Sequence, residues 1–101
     1  MQWLEKIVAK AQGRSSRWPA ARREHLNKNP GCAVCDRRKK NDVHHLRPFH
    51  LWPADELDPA NLVTLCRPHH LLFGHLTEWA SINRDCLADC LAWKIKIKTR
   101  P

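Results

Sequence analysis

Two short ligand pairs, Cys32-Ala-Val-Cys35 and Cys66-Arg-Pro-His69, constrain this chain of 101 residues more than any other feature. Each has the x-x spacing that lets two side chains meet one ion from a tight turn. Together they offer three thiolates and one imidazole, the closed tetrahedral set of structural zinc. The other reading of the same residues is a buried apolar cysteine cluster. A chain this short forms one domain around a small core, and such cores are commonly fastened by a metal or by disulfides. Disulfides are the poorer reading here. The opening MQWLEKIVAK carries charge where a secretion signal is apolar, so a cytoplasmic protein with reduced thiols is expected. Zinc at the quartet would contribute on the order of 10 kcal/mol of apparent binding energy, enough to decide whether so small a domain folds.

Charge points to a polyanionic partner. Lys and Arg number 18 against 10 Asp and Glu, a formal net charge of +8, and no apolar run is long enough to span a membrane. The excess is not spread evenly. Residues 1–40 hold 11 basic and 3 acidic side chains, whereas residues 41–75 hold 2 and 4. That central stretch carries six of the seven histidines. Basic flanks around a histidine-rich centre suggest a binding surface wrapped around a chemical site; a merely solvated surface is the alternative. DNA is the expected partner. The cationic candidates are Arg14, Arg17, Arg22, Arg23 and the run Arg37, Arg38, Lys39, Lys40.

Periodicity and turn signals predict a small α+β domain. Trp3, Leu4, Ile7, Val8 and Ala11 share one helical face over residues 2–12, which Gly13 ends. Trp18-Pro19 opens a second basic helix that Pro30-Gly31 stops. Short strands are expected over residues 42–46 and 61–66, joined by a loop containing Pro48, Pro53 and Pro59. A helix from Pro68 to about Trp79 and another over residues 85–93, capped by Asp85, follow. The tail WKIKIK alternates with period two and reads as an edge strand. The whole chain, 1–101, is a single domain: a basic helical extension (1–30), a core (32–79), and a C-terminal helix with a basic tail (80–101).

After the Cys-x-x-Cys knuckle come VHHLRPFH, then Asn61, then the adjacent pair His69-His70 within LCRPHH. This order resembles the HNH endonuclease family, whose core is the ββα-metal (His-Me) finger. PFH, ELDPANLVTLC and LLFGHL are similar to segments of small stand-alone HNH proteins, some of which nick DNA. The resemblance spans residues 32–79. It implies that His44 is a ligand of a catalytic divalent ion, His45 the general base, Asn61 the residue that holds the base loop, and His70 a second ligand. Many relatives have Cys-His where this chain has His69-His70, so His69 is assigned to zinc and His70 to catalysis by position. The implied activity is a metal-dependent DNA endonuclease. It would leave 5′-phosphate and 3′-hydroxyl ends, with Mg2+ or Mn2+ for chemistry and Zn2+ for structure. Such a protein would be bacterial or phage-encoded and cytoplasmic, and would nick as a monomer with weak sequence preference, alone or within phage or repair machinery. The competing class is a zinc-stapled DNA-binding module without catalysis.

Phosphodiester hydrolysis needs a nucleophilic water and neutralisation of charge on the phosphoryl and leaving oxygens. A histidine of ordinary pKa, about 6.5, can take the water's proton at neutral pH. Neighbouring strand residues face opposite ways, so His44 and His45 can serve one phosphate only at the strand's end. His75 lies five residues past His70, about 140° round an ideal helix. Gly74 would permit a local distortion or a close approach there. Ligation by His75 and a hydrogen bond behind the ligands both remain open. His50 reads as a loop histidine or a phosphate contact, Asp55, Glu56 and Asp58 as turn formers, and His25 as solvated. Trp18, Trp52 and Trp79 read as core. Cys86 and Cys90, four apart among apolar neighbours, read as core packing, with a redox pair or a further metal site as the alternatives.

Overall fold

The computed structural model describes residues 14–100. The helix expected over residues 2–12 lies outside them. The described residues form a small α+β fold of two antiparallel strands and three helices. The first helix, α1 (Trp18–Lys28), carries Pro19 in its first turn and His25 and Lys28 in its last, where positive charge suits the helix dipole. It contributes no buried residue of its own. Polar contacts hold it to the sheet: Arg22 Nη2 donates to the Asn41 carbonyl at 3.3 Å, and Thr64 Oγ1 donates to the Asn29 carbonyl at 2.6 Å. His25 departs from its expected solvation. It is half-buried with Nε2 enclosed and unpartnered, because the 57–62 segment closes over that face of α1.

Strands β1 (Asn41–His45) and β2 (Leu62–Cys66) pair antiparallel, Asn41 opposite Cys66 and His45 opposite Leu62. All five residues of β2 are buried, as an apolar, β-branched run predicts. The loop between the strands keeps its prolines in turns, with 3-10 turns at Pro53–Asp55 and Pro59–Asn61. Asp58 caps the second turn by accepting from the Ala60 N–H at 2.9 Å. Asn61, 1% exposed, pins the loop from within. Its Nδ2 donates to the Arg47 and Asp55 carbonyls, each at 3.0 Å, and its Oδ1 accepts from the Arg47 N–H at 2.6 Å.

Helix α2 begins as α-helix over Arg67–His69 and widens into a π turn over His70–Gly74. The expected continuation to Trp79 does not occur. Leu76 and Thr77 take left-handed φ values of 54° and 68°, and Thr77 N–H turns back to the Leu71 carbonyl. Trp79 is therefore carried out of the helix and, like Trp52, is exposed rather than core. Trp18 is half-buried.

The last helix, α3 (Cys86–Lys98), absorbs WKIKIK, which is not an edge strand. Extending an existing helix costs less than starting a strand with no partner, and Lys96 and Lys98 fall where the helix dipole favours cations. Asp85 stands at the N-cap but makes no side-chain cap bond. Asn83 does that work. Its Oδ1 accepts from the Asp85 N–H, while its Nδ2 donates to the Phe73 carbonyl and to Asp89.

The core is compact and rich in sulfur: Cys32, Val34, Val63, Leu65, Cys66, Cys86 and Cys90, with Ala33, Leu46 and Phe73 against it. Cys86 and Cys90 are core residues, 1% and 0% exposed. No helix among the described residues is long and apolar enough to cross a membrane.

Candidate functional site

Two ligand clusters are built on this hairpin. The first gathers Cys32, Cys35, Cys66 and His69, whose ligand atoms all lie within 4.8 Å of one another. The knuckle turn places its two cysteines by closing on itself, Cys32 N–H to the Arg37 carbonyl and Asp36 N–H to the Cys32 carbonyl, both at 2.9 Å. Asp36 takes a left-handed φ of 65° to do so. Ala33 N–H then ties the turn to the Thr64 carbonyl of β2. Cys66 ends β2, and Pro68 starts the helical turn that brings His69 round to it.

Spacing within the quartet fits one ion. Cys35 and Cys66 sulfurs are 3.8 Å apart, and His69 Nδ1 is 3.2 Å from Cys66 Sγ and 3.7 Å from Cys32 Sγ. Thiolates about 2.3 Å from a tetrahedral zinc stand about 3.8 Å apart. Electrostatics agree. Burial works against a charged Cys32, but N–H groups of Cys66, Cys35 and Val34 together with His69 outweigh it and bring its pKa down to about 7. Burial and the neighbouring Cys32 charge push Cys66 up to about 11. Two thiolates crowded this closely need a cation between them, and the cluster could hold a zinc-like metal.

The second cluster is His44, His70 and His75. His70 Nε2 is 3.1 Å from His44 Nδ1 and 3.2 Å from His75 Nε2. The π turn explains the meeting of His70 and His75. Residues five apart, about 140° from each other on an α-helix, come much closer to one face when the i→i+5 bond replaces i→i+4. Gly74 completes the arrangement, since a Cβ there would stand 3.0 Å from Cε1 and Nδ1 of His44.

The outer nitrogens fix which inner ones carry lone pairs. His70 Nδ1–H donates to Asp42 Oδ2 at 2.9 Å, and His75 Nδ1–H donates to the Ser81 carbonyl at 2.8 Å. In neutral rings both Nε2 atoms then carry the lone pair, and they face each other at 3.2 Å. His44 Nε2 is buried with no partner at all. The converging nitrogens of His70 and His75 suit a cation, and His44 meets them through Nδ1 rather than through its unpartnered Nε2. His44 and His70 are also held toward the neutral form that ligation requires. Burial, followed by the charges of His70 and His75, pushes His44 down to about 3. Burial lowers His70 despite Asp42. Asp42 itself lies below the usual carboxylate range because His70 and Arg67 outweigh its burial.

A cavity of about 540 Å3 opens on this cluster. His44 and His45 both line it, which β1 permits because it ends there. His45 Nε2–H donates to the Glu56 carbonyl at 2.9 Å, leaving the lone pair on Nδ1, and the ring packs 4.5 Å from that of Trp18. Burial lowers the His45 pKa, an effect the Glu56 carbonyl partly offsets. Asn61 braces His45 from both sides, through the backbone of Leu46 and Arg47 that follows it and through Asp55 in the loop beside Glu56. Glu56 is a buried anchor as well as a turn residue: its carboxylate accepts from the Ser15 N–H at 3.1 Å and lies 3.7 Å from Arg14 Nη1. Arg14 also lines the cavity, with its guanidinium 5.3 Å from the Trp18 ring and 5.1 Å from that of Phe49. His50 lies at the rim, exposed.

The other expected cations lie apart. Arg22, Arg38 and Lys40 surround a shallow cavity of about 280 Å3 next to Asn41, and Arg17, Arg23, Arg37 and Lys39 are exposed. Sequence reasoning missed Asp42, Arg67 and Trp79 as neighbours of the histidines. The signal for Asp42 was present, because residues 42 and 44 share one face of a strand. Comparison with protein-family models, curated proteins and solved structures finds no match to this chain.

Proposed function

We propose that this chain is a metal-dependent DNA endonuclease of the HNH kind, in which β1, β2 and α2 serve as a ββα-metal finger and the cysteine quartet as a zinc staple. One observation carries the reading: three histidines whose ring nitrogens converge at 3.1 and 3.2 Å share a cavity with a fourth, His45, whose Nε2–H is committed to Glu56. A binding module needs no such pairing.

In this reading His44, His70 and His75 would hold a divalent ion, which would supply Lewis-acid stabilisation of the charge on the phosphoryl and leaving oxygens. An all-imidazole set is a poor seat for Mg2+, which asks for oxygen ligands, and suits first-row transition ions better. His45 Nδ1 takes the proton of the attacking water. The water oxygen bonds to phosphorus, the bond from phosphorus to the 3′ oxygen breaks, and that oxygen takes its proton from solvent. Arg14, which lines the cavity, offsets charge on the phosphate. Asn61 and Glu56 keep the His45 ring oriented. One such site attacks one strand, so a monomer nicks.

The second reading, a DNA-binding module, draws on the Arg22, Arg38 and Lys40 cluster, whose cavity contains no histidine. Supercoiled plasmid incubated with the protein and Mn2+, Co2+, Ni2+ or Mg2+ separates the two. The nuclease reading expects nicked circles, lost on adding EDTA and reduced about 10²–10⁴-fold by His45→Ala. Full activity in His45→Ala would remove His45 as the base. Retention of the plasmid without nicking under every ion would establish the binding module.

A further inference from the structure

Asp42 belongs to neither ligand set, yet its carboxylate is where the histidine site meets its surroundings. Oδ2 accepts from His70 Nδ1–H at 2.9 Å and from Arg67 Nη1 at 3.2 Å. The Arg67 guanidinium lies 4.5 Å from the Trp79 ring centroid, and Trp79 packs at 5.0 Å against both His70 and His75. Asp42, Arg67, Trp79 and His70 thus close a ring of contacts on the outer side of the ligands. Strand register makes this possible. Asp42 and His44 project from the same face of β1, so one helix residue, His70, reaches both, with Nδ1 toward Asp42 and Nε2 toward His44. Among the described residues, Asp42 is the one carboxylate hydrogen-bonded to any of the three histidines, and it bonds His70.

We propose that Asp42 is the positioning residue of the three-histidine site, holding His70 in its Nδ1–H tautomer and aiming Nε2 at a shared ion, with Arg67 fixing the carboxylate's orientation. A carboxylate behind a ligating histidine fixes tautomer and ring angle and raises basicity, an arrangement whose loss typically costs 10–100-fold in metal affinity. Arg67 is largely exposed, so its own pairing with Asp42 is screened and its contribution is the smaller of the two. The inference rests on the reading that these histidines hold a divalent ion. It does not depend on cleavage.

Titration of Co2+ into protein whose cysteine quartet is filled with Zn2+ tests it. The visible absorption of nitrogen-bound Co2+ reports the histidine site, and a sulfur-to-cobalt band would reveal any exchange at the quartet. Asp42→Ala is expected to weaken Co2+ binding by about 10–100-fold, Asp42→Asn by less because an acceptor remains, and Arg67→Ala by least. The quartet should keep its zinc in all three. Should Asp42→Ala fail to fold, Asp42→Asn carries the comparison. Folded Asp42 variants that bind Co2+ as tightly as the wild type would overturn the proposal, and so would a wild type that takes up no Co2+ beyond the quartet. A wild type that binds Co2+ as expected but never nicks DNA would end the nuclease reading and leave this one standing.

Discussion

The cysteine quartet and the histidine trio grow from the same hairpin, and they differ in what they leave open. The quartet draws four donors from a knuckle, a strand end and a helical turn, and two of them, Cys32 and Cys66, lie in the core. Nothing further is needed to satisfy a tetrahedral ion there. The trio supplies three donors from a strand and a π turn, and it opens on a cavity that also contains His45 and Arg14. One cluster closes on itself at the edge of the hydrophobic core, and the other faces a space large enough for a substrate group. Adjacent residues on one helix, His69 and His70, are divided between them. The lesson is that a small domain can divide a closed ligand cluster from an open one by a single residue of register.

Substitution at the quartet should break this contrast most severely. Cys66→Ala, or prolonged chelation, is expected to abolish the cooperative thermal transition seen by circular dichroism, because a metal contribution on the order of 10 kcal/mol rivals the stability of a whole small domain. A Cys66→Ala protein melting like the wild type would mean that the two clusters are not different in kind. His70→Ala should do the reverse. It should keep a cooperative transition within a few degrees of the wild type and lose nicking by at least about 100-fold. Gly74→Ala sharpens the comparison further, since its Cβ would meet the His44 ring at 3.0 Å. Overpacking of about 1–3 kcal/mol should weaken Co2+ at the trio roughly tenfold and leave the quartet's zinc in place. The smallest effect is expected for Arg14→Ala. Both metal affinities should be unchanged, while the slope of log affinity for DNA against log salt falls by about one.

Legibility in the sequence followed locality. The quartet was readable because each of its pairs is a turn motif complete within four residues. The assignment of His69 to the quartet and His70 to the trio followed from their positions in the HNH-like order, and helix geometry agrees, since neighbouring helix residues diverge by about 100°. His75 was only half readable. Ideal α geometry sets it aside, and the π turn that brings it back has no signal beyond Gly74. Asp42 could have been found from its i, i+2 relation to His44, but only once His70 was known to reach the strand. Asn83 was beyond reach, because its bonds to Phe73 and Asp89 join segments that only the folded chain brings together. WKIKIK misled because six alternating residues satisfy a strand pattern while the helix preceding them continues at less cost.

The central claim is that a protein folded by its quartet becomes a nuclease only when the trio is filled. Relaxation of supercoiled plasmid, followed as Mn2+ or Co2+ is titrated into zinc-loaded protein, measures this directly. The account predicts no nicking with zinc confined to the quartet, a saturable rise in nicked circles as the second ion binds, and no such rise in His70→Ala. Nicking that is independent of the second ion or undiminished in His70→Ala, or its absence with every ion tried, would contradict it.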